Sequence, residues 1–247
     1  MTLVAVLAVM VLLRPGREDT ADRPVRHASP RPAVLTAPPP SPSAPAWAVT
    51  PPAAPSVPPT PAAAAPGHCP ATPATASQDL PAQPPADITW TVFHGVAEPA
   101  SREHGPHRKE ADVHRCFSRT PTGALIAAWQ IATRFVLADG WRRVVDEQVM
   151  PGPGRDAYAE QRRQVNTGED TGGKGQLAAY AFASYTPDVA TVQLVSRFAA
   201  TGHLQVNTVT VVWSGGDWRL RLQPDGSISP SLQAVTSLAG FVPWGGV

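Results

Sequence analysis

The apolar and polar positions follow two periods, one after the other. "RTPTGALIAAWQIATRFVLADG", residues 119–140, is the most regular segment. Leu125, Ala128, Trp129, Ala132, Phe135 and Val136 recur at steps of three and four, which makes one apolar stripe on a helix. Thr120 suits the N-cap, Pro121 the first helical position, and Gly140 the end. "WRRVVDEQVM" predicts a weaker helix and "RDAYAEQRRQV" a third. From Gln176 the period changes to two. "QLAAYAFASYTP", "VATVQLVSRFAA", "LQVNTVTVVW" and "DWRLRLQP" read as successive strands. Val209, Val211 and Trp213 share one strand face. Trp218, Leu220 and Leu222 share a face of the next strand, with Arg219 and Arg221 pointing away. Gly215 and Gly216 between them supply the positive φ of a tight hairpin turn. Ahead of the first helix, Ile88, Trp90 and Val92 alternate as a strand, and the tail packs back through Phe241 and Trp244. Helices followed by antiparallel strands predict an α+β fold, a curved antiparallel sheet wrapped around a long helix, with Trp90, Trp129, Trp213 and Trp218 as core anchors.

Composition separates this domain, residues 87–247, from what precedes it. Twenty of the 30 prolines lie between Pro24 and Pro85, among Ala, Ser and Thr. Residues 14–86 hold too little apolar surface to offset chain entropy, and read as a disordered, semi-rigid spacer. Residues 1–13 carry no charge. A bilayer span needs about 20 such residues, so the segment predicts a membrane anchor or signal whose apolar run continues upstream. The folded domain is then extracytoplasmic, on a single-pass anchor. The net charge of +1 argues against nucleic acid as a partner. The densest basic groups, Arg142, Arg143, Arg162 and Arg163, read as solvated helix faces.

Cys69 and Cys116 are the only cysteines. Export favours a bridge between them, and closing so long a loop contributes about 4 kcal/mol in the chain-entropy treatment. Two unpaired thiols remain an alternative. Zinc is the other, because His104, His107 and His114 lie near Cys116. "HGPHRKEADVHRC" has neither a paired CxxC nor HExxH, so the expectation is no metal, with the histidines on a solvated loop. "GEDTGGKG", residues 168–175, misses a phosphate-binding loop by ending on Gly175 where a hydroxyl should hold Mg²⁺. A helix precedes it and a strand follows, the reverse of what that loop needs, so it reads as a plain loop. No GxSxG occurs. Asp139, Asp146, Glu147, Asp156 and Asp217 have no partner visible in sequence that would tune a pKa, and read as surface carboxylates. The chain thus predicts no catalytic residue and no cofactor.

The apolar start, the spacer, "RCFSRTPTGALIAAW" and "VVWSGGDWRLRLQPDG" together resemble a family of actinobacterial membrane-anchored proteins, many of which accompany integrative or conjugative elements. The helix "TGALIAAW" followed by a sheet closing on "W…GDWRL" also resembles the cone-shaped fold of nuclear transport factor two, which the inner-membrane scaffold proteins of conjugation and type IV secretion share. The resemblance implies a non-enzymatic scaffold that contacts other proteins, possible partners being components of a transfer apparatus. A second reading from another class also follows. Ketosteroid isomerases of the same fold work at the mouth of the cone with an aspartate base, and Tyr158, Tyr180, Tyr185 and Asp139 would be the candidates here. The interior decides between the two: filled by large side chains, or open around a desolvated carboxylate.

Overall fold

The structure is a computed structural model and describes residues 69–164 and 174–246. The N-terminal apolar segment and the spacer as far as residue 68 lie outside the described residues, as does most of the 168–175 loop. What is described is a mixed α+β fold with three helices and antiparallel sheets.

Helix α1 spans Pro121–Leu137. Thr120 Oγ1 accepts from the Gly123 amide at 3.1 Å, and Pro121 stands just inside the cap, so the local chemistry starts the helix where the sequence predicts. Gly123 permits a close approach, since a Cβ there would lie 2.1 Å from the Ser118 carbonyl oxygen. The apolar stripe is wider than one face, because elements pack on α1 from two sides. Helices α2 (Trp141–Gln148) and α3 (Pro153–Gln164) follow. Tyr158 of α3 is a core residue: its ring stacks on Phe135 at 3.7 Å, and its hydroxyl donates to the Phe135 carbonyl at 2.8 Å. Arg162 departs from the expected solvated face. It is buried over α3, and its Nη2 donates to the Val136 carbonyl, one of the last carbonyls of α1.

On one side of α1 lies a six-stranded sheet of β5 (Gly175–Thr186), β6 (Val189–Phe198), β7 (Leu204–Ser214), β8 (Asp217–Arg221), β9 (Leu232–Val235) and β10 (Val242–Pro243). The order is β10-β5-β6-β7, and β8 and β9 share the far edge of β7. In the β7–β8 hairpin Trp213 pairs with Trp218 and Ser214 with Asp217, leaving Gly215 and Gly216 as a two-residue turn with φ of 65° and 84°. Alternation then decides the faces. Val209, Val211, Trp218 and Leu220 face α1, while Val195, Leu204 and Val206 face a second, smaller cluster with Leu238 and Phe241 of the tail. Strand β5 breaks the alternation twice, with register shifts between Leu177 and Ala179 and between Phe182 and Ser184. Each shift restores the inward face one residue late, so Leu177, Tyr180, Phe182 and Tyr185 all belong to the main core.

The other side of α1 is covered by the hairpin β1 (Ile88–Phe93) and β2 (Val96–Ser101), and by the small hairpin β3 (Arg108–Glu110) and β4 (Val113–Arg115). Trp129 Nε1 donates to the Ala97 carbonyl at 2.8 Å and Gln130 Nε2 to the Pro99 carbonyl at 2.6 Å. Of the four expected anchors, Trp129 and Trp218 are buried, while Trp90 and Trp213 are half-buried against the edge of the core. Val92, expected inside with Ile88 and Trp90, is 73% exposed. Phe93, the last residue of β1, packs against the core in its place.

Residues 69–86 are a correction to the expected boundary between spacer and domain. Cys69 is bridged to Cys116, with 5.0 Å between the Cα atoms. The Arg119 amide donates to Thr72 Oγ1 at 2.7 Å, the Tyr180 hydroxyl to the Gln83 carbonyl at 2.8 Å, and the Tyr185 hydroxyl to Gln78 Oε1 at 2.6 Å. This stretch is laid on the fold by Cys116 and Arg119, each 47 residues on from its partner, and by two tyrosines of β5, 97 and 107 residues on. No helix among the described residues is long and apolar enough to cross a membrane.

Candidate functional site

Three places gather polar chemistry. The first lies between α1 and the hairpins. Glu98 of β2 is fully buried, and Arg134 of α1 meets it with Nη2 at 2.7 Å and Nε at 3.2 Å from Oε2. Arg134 Nη1 donates to the Ala111 carbonyl at 3.0 Å, and its guanidinium carbon lies 4.0 Å from the Phe93 ring centre. Burial pushes the Glu98 carboxyl up, and Arg134 opposes that shift. Beside this pair His114 Nδ1 donates to Gln130 Oε1 at 2.7 Å, the amide being fixed by Gln130 Nε2 on Pro99. His114 is therefore no solvated loop residue. The β3–β4 hairpin lays it against α1, and His104 likewise bonds Ser118 Oγ at 3.0 Å. Only His107 of the three is exposed. Burial, reinforced by the Arg134 charge, lowers the His114 pKa from 6.5 to about 4.

The lowered His114 pKa makes the fold less stable in acid. Above about pH 6.5 the imidazole is neutral in both folded and unfolded chains. Between about 6.5 and about 4 the unfolded chain takes up a proton that the folded imidazole refuses, so stability falls as pH falls through that window. At about 1.4 kcal/mol per pKa unit, the loss is on the order of 3 kcal/mol. Urea unfolding at pH 7, 5.5 and 4 is expected to show it, and His114→Gln to remove most of it. An equal loss in the variant would place the acid sensitivity elsewhere.

The second place is a polar cavity of about 340 Å³ near the disulfide, lined by Cys69, Arg115, Glu147 and Asp217 among others. Asp217 is not the surface carboxylate expected. Burial raises its pKa, and its oxygens accept the amides of Cys116 at 2.7 Å, Phe117 at 3.0 Å and Trp218 at 2.9 Å. With both oxygens engaged by backbone N–H groups, Asp217 locks the turn of the β7–β8 hairpin onto the irregular stretch at Cys116 and Phe117. It is not poised to take a proton from a substrate. Glu147 pairs with Arg115 and Arg143.

The third place is a cavity of about 180 Å³ between α1 and the sheet. Trp129 and Val136 of α1, Leu194 of β6, Val209 of β7 and Ile228 form much of its apolar wall. Thr133, Ser196, Gln205 and Asn207 also line it, and among the described residues none of their side chains makes a hydrogen bond. Among its described lining residues there is no aspartate, glutamate or histidine, and the single charged group is Lys174. Lys174 Nζ donates to the His94 carbonyl. An apolar pocket with a few unpaired polar groups is the usual form of a small-molecule site.

The residues considered for an isomerase-like reaction are not brought together there. Tyr158 and Tyr180 are core groups with hydroxyls spent on carbonyls, and burial pushes Tyr180 up to about 12. Tyr185 bonds Gln78, and the Asp139 side chain is almost wholly in solvent. Among the described residues no three metal-ligating side chains cluster. Sequence reasoning missed the cavity residues because Ser196, Gln205 and Asn207 look like solvent-facing positions of their strands. Only pairing β6 and β7 with α1 shows that they face inward.

Neither the curated proteins nor the solved structures include a match to this chain. Residues 50–243 match a family described as a domain of unknown function, DUF8175, and the chain belongs to that family.

Proposed function

We propose that the protein is a non-enzymatic, membrane-anchored extracytoplasmic binding module. The apolar N-terminal segment tethers it, the Pro-rich stretch spaces it from the bilayer, and the α+β head binds. The head is read as cone-like, its sheet curling around α1 and helped by the two irregularities of β5 that bend a strand. The disulfide suits an oxidising compartment. The observation that carries the reading is the cavity against α1, apolar, equipped with unpaired hydroxyl and amide groups, and without an acid among its described lining residues. Such a wall holds and orients a guest, and its described residues supply no carboxylate or imidazole to act as a base.

Calorimetric titration of n-octanol into the full chain tests this. One saturable site is expected, and Ala132→Phe, which fills the cavity from α1, is expected to abolish it while the melting temperature stays within a few degrees. Absence of octanol binding, or binding indifferent to that substitution, would overturn the reading.

A scaffold role beside other exported proteins, such as components of a conjugative transfer apparatus, is the second reading. It is favoured by the exposed Val92 and by Leu80, which is 48% exposed, the two large apolar side chains that the head leaves in solvent among the described residues. Cross-linking from position 92 in cells is expected to trap a partner protein, and Val92→Glu to prevent association. No cross-linked species would remove this role.

A further inference from the structure

We infer that the cavity between α1 and the sheet binds a small amphipathic monocarboxylate, its apolar part against Trp129, Leu194 and Val209 and its carboxylate at Lys174. The inference rests on the binding-module reading and adds to it the chemical class of the guest.

Size comes first. A dry engineered cavity of about 150 Å³ takes up benzene. The cavity here, about 180 Å³, therefore suits a guest of about six to ten non-hydrogen atoms. Polarity comes next. Trp129, Leu194 and Val209 are buried core residues, so the inner wall is apolar, and a charge placed against them would lose its hydration without return. Any charge on the guest must sit toward water. Lys174 is half-exposed and packs its stem beside Gly95, where a Cβ would lie 3.7 Å from the lysine Cδ. The His94 carbonyl takes one of the three donors of its ammonium and fixes where the head stands; two donors are left.

Charge complementarity then selects the sign. Among the described lining residues there is one cation and no acid, so an ammonium guest would meet a like charge and a carboxylate an opposite one. Among the described residues Asp139 stands beside this corner, its Oδ2 4.0 Å from His94 Nε2. Its side chain is turned into solvent, where water and salt screen it. The unpaired groups of Thr133, Ser196, Gln205 and Asn207 can serve the second carboxylate oxygen or a hydroxyl on the guest.

The test uses the full chain and three probes of one length, n-octanoate, n-octanol and n-octylammonium, titrated by calorimetry at pH 7.5. Octanoate is expected to bind about tenfold more tightly than octanol, as one charge-assisted hydrogen bond allows, with octylammonium weakest. Lys174→Met is expected to lower octanoate affinity about tenfold and to leave octanol within about twofold. Lys174→Glu is expected to reverse the preference in favour of octylammonium. Because position 174 is at the rim, both variants are expected to melt close to the parent. Equal binding of all three probes, or octanoate affinity untouched by Lys174→Met, overturns the monocarboxylate inference and leaves the binding module standing. Failure of octanol and octanoate alike overturns both.

Discussion

Arg134→Met is expected to destabilise the head by about 3–5 kcal/mol, the range for removing one partner of a buried ion pair. Glu98 is fully inaccessible, and Arg134 is the cation that reaches it, through two nitrogens on a single carboxylate oxygen. Among the described residues its other oxygen already has no hydrogen-bond partner. Methionine would fill most of the arginine stem and leave the carboxylate with nothing to balance the hydration it lost. The carbonyl of Ala111 would lose a donor at the same time. A domain of this size has about 5–15 kcal/mol in total, so the variant would stand near its unfolding threshold. The double variant Glu98→Met/Arg134→Leu is expected to recover most of the loss, because two apolar groups in the same space no longer carry a desolvation cost. Urea midpoints at constant slope report both effects. A single variant that costs under about 1 kcal/mol would mean that water reaches the pair.

Removing the disulfide ranks beside this. Cys69→Ala/Cys116→Ala is expected to lose about 4 kcal/mol, from the 47-residue separation that the bridge closes in the unfolded chain. Its local signature differs from that of Arg134→Met. The bridge holds residues 69–86, which otherwise depend on hydrogen bonds to Arg119, Tyr180 and Tyr185. Amide exchange is therefore expected to quicken first in that stretch. The amides of Cys116 and Phe117, held by Asp217, should keep their protection until global unfolding. Uniform loss of protection across the head would contradict that order.

Much of the architecture was legible because it is locally encoded. Thr120, Pro121 and the apolar stripe define α1, and Gly215-Gly216 between alternating runs defines the β7–β8 hairpin. What was not legible depends on partners distant in sequence. Strand β2, "VAEPAS", carries a glutamate and a proline, yet all six of its residues are buried. Only Arg134 and Gln130 of α1, more than thirty residues on, make that possible. His114 looks like one of several loop histidines until Gln130 Oε1 accepts a hydrogen bond from its ring. Asp217 looks like a hairpin-turn carboxylate until it reaches amides a hundred residues back. Residues 69–86 have the composition of a spacer, and their attachment to the head is decided by the bridge to Cys116, the Arg119 amide and tyrosine hydroxyls in β5. The bulges of β5 hide its inward face from any strict period of two. The cavity was expected as a choice between filled and acid-lined; it is open, and its described lining is mostly apolar with a few neutral polar groups and one lysine.

The bridge at Cys69 also fixes how this head would carry a mechanical load. A pull on the chain ahead of Cys69 crosses the sulfurs into Cys116, whose amide is gripped by Asp217 at the turn of the β7–β8 hairpin. The segment between the two cysteines, with both small hairpins, then lies in a slack loop outside the path of tension. Such a pull would strain the hairpin turn and the start of α1 before it disturbed β1 to β4.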